Sequence, residues 1–115
     1  MPPDGRLLCC DISTEWIDIA HPYWERAGVS DKIQVAVGPA LETLRALPTD
    51  TVFDLSYIDA DKESYIDYYE ELLSRTRSGG IVALDNVLWG GSVIDDTNSS
   101  RSTESIRDNT CHENL

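Results

Sequence analysis

The stretch Phe53-Asp54-Leu55-Ser56-Tyr57-Ile58-Asp59-Ala60-Asp61-Lys62 limits the fold more than any other, because an apolar run of strand length ends abruptly in two carboxylates and an amine. A short run of aromatic and aliphatic side chains, followed by polar residues and then a helical pattern, reads as a strand feeding a crossover helix. In open α/β sheets the ligand crevice lies outside the carboxyl ends of the strands, so Asp59, Asp61 and Lys62 stand where chemistry is expected. A second such strand, Gly80-Ile81-Val82-Ala83-Leu84, ends in Asp85-Asn86 and offers a carboxylate and an amide oxygen at the same edge.

The rest of the chain repeats this alternation. Arg6-Leu7-Leu8-Cys9-Cys10 is apolar on both faces and stops at Asp11, as a strand of a covered parallel sheet does. Ser13 is placed to cap a helix with Trp16, Ile19, Ala20, Tyr23, Trp24 and Ala27 near helical spacing and Gly28 as its stop, and Pro22 predicts a kink or two helical pieces there. Ile33 to Val37 alternates as a strand and ends at Gly38-Pro39; Ala40, Leu41, Leu44 and Leu47 then share one helical face. After Lys62, the residues Tyr65, Ile66, Tyr69, Leu72 and Leu73 recur at helical intervals until Ser78-Gly79-Gly80, expected to end that helix. Residues 92–102 read as a flexible loop and 103–115 as a weak terminal helix. The order β-α-β-α-β-α-β predicts one α/β domain over 1–115, with a parallel sheet and helices on its faces.

Charge and composition exclude several classes of function. Nine Lys and Arg against 21 Asp and Glu leave a net charge of −12, which repels nucleic-acid backbones and anionic membranes. Cys9, Cys10 and Cys111 are odd in number and carry neither a disulfide framework nor a zinc spacing, so reduced thiols are expected. No stretch approaches the roughly 20 apolar residues of a membrane span, and the first five residues lack the charged and apolar regions of a signal peptide. A cytoplasmic protein is expected.

With the strands parallel, Asp11, Gly38, Asp59 and Asp85 fall at their carboxyl ends. Converging carboxylates raise one another's pKa unless a cation lies between them. Asp59, Asp85 and the Asn86 side-chain oxygen form an all-oxygen set suited to magnesium, manganese or calcium rather than zinc. Lys62, three residues after Asp59, is a candidate base if a nearby metal lowers its pKa. Each residue also has a plainer reading: Asp11 as a turn residue, Lys62 as a solvated first-turn lysine, Trp89 as a partly buried anchor.

The blocks Asp4-Gly5-Arg6, Tyr23-Trp24-Glu25-Arg26-Ala27-Gly28, Gly38-Pro39-Ala40-Leu41-Glu42-Thr43-Leu44, Ile58-Asp59-Ala60-Asp61-Lys62 and Asp85-Asn86-Val87-Leu88-Trp89 resemble, in order, the metal- and S-adenosylmethionine-dependent O-methyltransferases of the caffeoyl-CoA and catechol type. The resemblance implies a Rossmann-like methyltransferase fold and transfer of the sulfonium methyl to one of two vicinal phenolic oxygens. It implies Asp59, Asp85 and Asn86 as metal ligands and Lys62 as the base beside the accepting hydroxyl. It further implies Asp11 on the cofactor's ribose diol, Ala40 against its adenine, and Asp61 and Tyr68 completing the cofactor pocket. The acceptor would be a small phenol, and the resemblance allows a homodimer of the full-length parent.

The chain departs from that family by lacking its opening helix, its first strand and glycine-rich turn, and its last two strands. The missing first strand would lie between those ending at Asp11 and Asp59, a gap of roughly 10 Å. The expectation is therefore a fragment that does not methylate alone. The competing reading is a non-catalytic acidic α/β domain that binds a divalent ion or a protein partner.

Overall fold

The computed structural model describes residues 2–95, 97 and 99–112, with side chains as far as Arg107. They fall into two compact units, Met1–Leu47 and Pro48–Leu115.

In the first unit, β1 (Leu7–Asp11) lies parallel to β2 (Ile33–Val37), in register from Leu7 opposite Ile33 to Asp11 opposite Val37. Between them run α1 (Glu15–Arg26) and a 3-10 turn (Ser30–Lys32). After β2 comes α2 (Ala40–Ala46), which packs on both strands and buries Leu44. Gly38 turns the chain into α2 at φ 138°, a region that favours glycine.

The helix α1 begins one residue later than Ser13 alone would place it: Thr14 is its N-cap, and Ser13 Oγ accepts from the Glu15 N–H at 3.1 Å. Its stop is the expected one. Gly28, at φ 65°, donates its N–H to Glu25 O at 3.0 Å, and Val29 donates to Trp24 O at 3.0 Å, the paired bonds of a Schellman motif. Of the two outcomes expected at Pro22, a division into two helical pieces does not occur: one helix runs from Glu15 to Arg26 with the proline inside it. Trp16, Ile19 and Tyr23 lie at helical spacing and are exposed, whereas Ile17, Ala20 and Trp24 on the neighbouring stripe are half-buried.

In the second unit, β3 (Phe53–Ile58) lies parallel to β4 (Thr76–Leu84). A 3-10 turn (Lys62–Ser64) leads into α3 (Tyr65–Arg75), and further 3-10 turns (Trp89–Ile94) precede α4 (Arg101–His112). The α3 helix packs on both strands, and α4 packs on α3 and on both 3-10 segments. The buried side chains show the layering: Ser56 and Ile58 from β3, Tyr65, Tyr68 and Leu72 from α3, Thr103 and Ile106 from α4. Tyr68 takes the place expected for Ile66, and Ile66 and Leu73 are exposed. A stripe at i, i+3 and i+7 turns those two neighbours away from the strands.

The end of α3 also differs from expectation. The helix stops at Arg75, not at Ser78-Gly79-Gly80, and β4 starts at the next residue. Thr76 has extended backbone, and its hydroxyl donates to Leu72 O at 2.7 Å, which closes the helix without glycine. The glycines serve a bulge instead. While β3 advances from Phe53 to Leu55, β4 advances from Thr76 to Ile81, and the surplus is folded away at Gly79, φ 76°. A Cβ on Gly80 would sit 2.6 Å from Thr76 Cγ2 and 3.1 Å from Asp54 O, so only glycine fits.

The parallel βα alternation is as expected, and hydrogen-bonded ladders join the strands two by two, β1 with β2 and β3 with β4. The stretch expected as a loop, 92–102, has regular structure at both ends: 3-10 turns through Ile94 and helix from Arg101. Arg107 Nε donates to Val93 O at 2.8 Å, its Nη2 donates to Ser92 O at 3.1 Å and to Asp95 O, and Ser100 Oγ donates to Thr103 Oγ1 at 2.7 Å. These bonds tie Ser92, Val93 and Asp95 to Arg107 of α4, a contact that sequence pattern does not show. Positions 96, 98 and 113–115 lie outside the described residues. Among the described residues no helix is long and apolar enough to cross a membrane.

Candidate functional site

β3 and β4 end side by side, Ile58 opposite Leu84, and the Asp85 N–H extends the ladder by donating to Ile58 O at 2.9 Å. The next residues on the two strands are Asp59 and Asp85, so the pairing itself brings these carboxylates to one edge. Alternation then sorts the side chains. Ser56 and Ile58 face α3 and are buried, whereas Leu55 and Tyr57 face the open side. Tyr57 is opposite Ala83, and Asp85, two residues on, shares that open face.

Lys62 is drawn in from the other direction. The 3-10 turn after Asp61 carries its side chain inward, leaving the residue 6% exposed and its Nζ 3.8 Å from Asp59 Oδ1. The Nζ donates to Asp85 O at 3.1 Å and to the Tyr65 hydroxyl, and lies 4.2 Å from the Tyr65 ring centre and 5.6 Å from that of Trp89. The plainer expectation, a solvated first-turn lysine, is therefore overturned: three elements pack around it. Tyr65, 2% exposed, donates from its hydroxyl toward Asp85 O at 3.0 Å and Ile58 O at 3.3 Å. One phenol thus ties the ends of both strands to the lysine.

The Asp85 carboxylate is bonded at both oxygens: Tyr57 Oη donates to Oδ2, and the Asn86 N–H donates to Oδ1 at 2.7 Å. The Tyr57 bond is the larger cause holding the Asp85 carboxyl below the usual carboxylate range, ahead of the Asn86 N–H. Asn86 takes φ 57° and Trp89 φ 45°, left-handed conformations uncommon outside glycine. Among the described residues no three or more His, Cys, Asp or Glu gather as a metal cluster.

The residues implied for a cofactor occur in both units. In the second, Tyr68 Oη donates to Asp61 Oδ1 at 2.8 Å. Burial alone would raise the Asp61 carboxyl, but hydrogen bonds from Ser64, Tyr68 and backbone N–H groups outweigh it and hold the group below its ordinary value. In the first unit, Asp11 ends β1 with its Oδ1 accepting from the Ser13 N–H at 2.9 Å and its carbonyl from Gly38 at 2.8 Å. The turn role foreseen for Asp11 is therefore present. Ala40 opens α2 behind its N-cap Pro39. Burial pushes the Cys9 and Cys10 thiols up, and both are free.

Sequence reasoning missed Tyr57 and Tyr65. For Tyr57 a signal existed: it precedes Asp59 by two, and strand periodicity places i and i+2 on one face.

The bond between Tyr57 and Asp85 sets a pH-dependent expectation. Chiefly because its hydroxyl donates to that carboxylate, Tyr57 is pushed up to about 12. A raised pKa means the contribution to stability is complete below the ordinary tyrosine value of about 10 and is lost as pH rises through the folded value. Followed by tyrosinate absorbance, one of the five tyrosines should titrate near the upper figure and return to about 10 in Asp85→Ala. Identical titration curves for the two proteins would refute the coupling.

The O-methyltransferase family profile matches residues 1–112. Over 98 residues the chain is 44% identical to the probable caffeoyl-CoA O-methyltransferase 2 of Dictyostelium discoideum, covering 83% of this chain and 42% of that one. It is 42% identical to caffeoyl-CoA O-methyltransferase 2 of Zea mays, covering 82% and 37%. The structure resembles an O-methyltransferase from Bacillus cereus solved with SAH (TM-score 0.83, 34% identity, 94% of this chain and 50% of that one). It also resembles the O-methyltransferase TomG from Streptomyces achromogenes solved with SAM (TM-score 0.83, 31% identity, 94% and 49%). The chain spans about two-fifths of the length of these curated relatives.

Proposed function

Because the chain belongs to the O-methyltransferase family, with helices and parallel strands that make up part of a Rossmann-like methyltransferase fold, we propose that it contributes to S-adenosylmethionine-dependent methylation of a phenolic hydroxyl, on a catechol-like or caffeoyl-type acceptor, with a divalent metal. The observation that supports this most is the convergence of Asp59, Asp85 and Lys62 where β3 and β4 end.

The donor set fits the ion: two carboxylates and an amide, all oxygen, suit magnesium, or calcium or manganese, and Asp59, Asp85 and Asn86 would hold it. When bound, such an ion supplies Lewis acidity to the acceptor's hydroxyl. Lys62 takes the hydroxyl proton. The bound sulfonium donor would supply the methyl group to that oxygen and would keep the electron pair of the broken carbon–sulfur bond. Asp85 O and Tyr65 Oη offer acceptors for the two N–H bonds of a neutral Lys62 amine and aim it at one place. Asp61, paired with Tyr68, would hold the cofactor in the second unit; in the first, Asp11 would take the ribose diol and Ala40 would lie against adenine.

Turnover by this chain alone is expected to stay at background. In-line transfer tolerates misplacement of only about 1 Å before losing on the order of a hundredfold in rate. Two-stranded pairs, with Leu55, Tyr57 and Ile81 exposed on one of them, are a soft platform for such precision. We assign the protein to the cytoplasm, and its net charge of −12 argues for a small-molecule partner over nucleic acid or an anionic membrane.

Saturation-transfer NMR with S-adenosylmethionine should show cofactor signal that falls at least about fivefold in Asp61→Ala. Any methyl transfer from labelled cofactor to catechols with magnesium should disappear in Lys62→Ala. Cofactor signal indifferent to Asp61, or transfer that survives loss of Lys62, would overturn the reading. The alternative, a non-catalytic acidic domain, predicts ion binding with no cofactor signal.

A further inference from the structure

We propose that Tyr57 is a positioning residue for the divalent-ion site: its hydroxyl fixes the plane of the Asp85 carboxylate, and the inference rests on the metal reading above. The geometry follows from strand pairing. Tyr57 lies on the open face of β3 opposite Ala83, so its ring reaches diagonally to the side chain two residues further along the neighbouring strand, Asp85. Oδ2 receives the phenolic O–H and Oδ1 receives the Asn86 N–H at 2.7 Å.

A carboxylate held at one oxygen still rotates about its last torsion, which is broad and soft. Donors at both oxygens remove that freedom before any ion arrives. Each carboxylate oxygen has two lone-pair sites, so one hydrogen bond per oxygen leaves acceptor capacity for an ion. Partners that orient ligating groups in this way typically change metal affinity by about 10- to 100-fold when removed. The other carboxylate differs: Asp59 has the Lys62 ammonium 3.8 Å from its Oδ1, a looser constraint. Tyr57 thus acts on one ligand alone.

The test is Tyr57→Phe, which deletes only the hydroxyl. Tyr57 is 61% exposed, so packing is untouched, and the variant should stay folded in chelator with a midpoint lowered by no more than the loss of one exposed hydrogen bond. Binding of manganese(II) to the full chain, read from loss of the free-ion electron paramagnetic resonance signal, should weaken about tenfold in Tyr57→Phe. It should weaken much further in Asp85→Ala. Parent and Tyr57→Phe affinities within twofold of each other, with Asp85→Ala still impaired, would overturn the positioning role while the metal site stands. A parent that binds no manganese, or binds it no better than Asp85→Ala, would refute the metal site and this inference together.

Discussion

Tyr65→Ala is expected to cost about 3–5 kcal/mol of folding stability, as loss of a large buried aromatic side chain does. A domain of this size has about 5–15 kcal/mol in all, so the variant should lose a large fraction of its stability. The ring is 2% exposed on the first turn of α3, directly over the ends of β3 and β4. It also offers a face to the Lys62 ammonium at 4.2 Å. Tyr65→Phe separates packing from hydrogen bonding. It keeps the ring but removes the hydroxyl that bridges Lys62, Asp85 O and Ile58 O, and should cost about 1–3 kcal/mol, as loss of a buried hydrogen-bond partner does. Urea unfolding of the three proteins measures both effects. A Phe variant as stable as the parent would show that the bridge is idle, and an Ala variant within 1 kcal/mol, roughly the cost of a surface change, would contradict the burial.

Asp85→Ala is expected to weaken divalent-ion binding by more than about a hundredfold, beyond the range seen for outer-shell partners. The reason is charge as much as ligand count. A hard dication in a site with two carboxylates loses half of the site's negative charge with either one, and the amide of Asn86 cannot replace it. Asp59→Ala should be similar in direction. The two differ in what they free: Asp59 lies 3.8 Å from the Lys62 ammonium, whereas Asp85 releases the Tyr57 hydroxyl. Isothermal titration with magnesium and with calcium gives the affinities. Retention of parent-like binding in either variant would remove that residue from the ligand set.

Much of the local structure could be read directly. The strand over 33–37 alternates, that over 53–58 runs into its acidic end, and Gly28 stops α1 with the bonds its left-handed backbone permits. These features depend on a few neighbouring residues and on backbone geometry common to all chains, so pattern alone specifies them. The placement of Asp59 and Asp85 on adjacent strand ends was legible for the same reason, since a parallel crossover aligns carboxyl ends wherever it occurs.

Other features required partners that pattern does not name. Ser78-Gly79-Gly80 has the composition of a helix stop, yet Thr76 ends α3 and the glycines absorb a bulge against Asp54. Pro22 has the signature of a break, yet α1 runs through it. Polar residues between 92 and 102 resemble an open loop until Arg107 gathers the carbonyls of Ser92, Val93 and Asp95. Lys62 is the clearest instance. Its sequence position fits a solvated lysine, and its surroundings come from Tyr65, Trp89 and Asp85. Sequence by itself determined the βα order, the acidic strand ends and the family. Tertiary structure alone decided which strands share a ladder, which face of α3 is buried, and that Tyr57 and Tyr65 hold the acidic edge. Hydrogen bonds and burial between residues distant in the chain depend on distances that no local periodicity encodes.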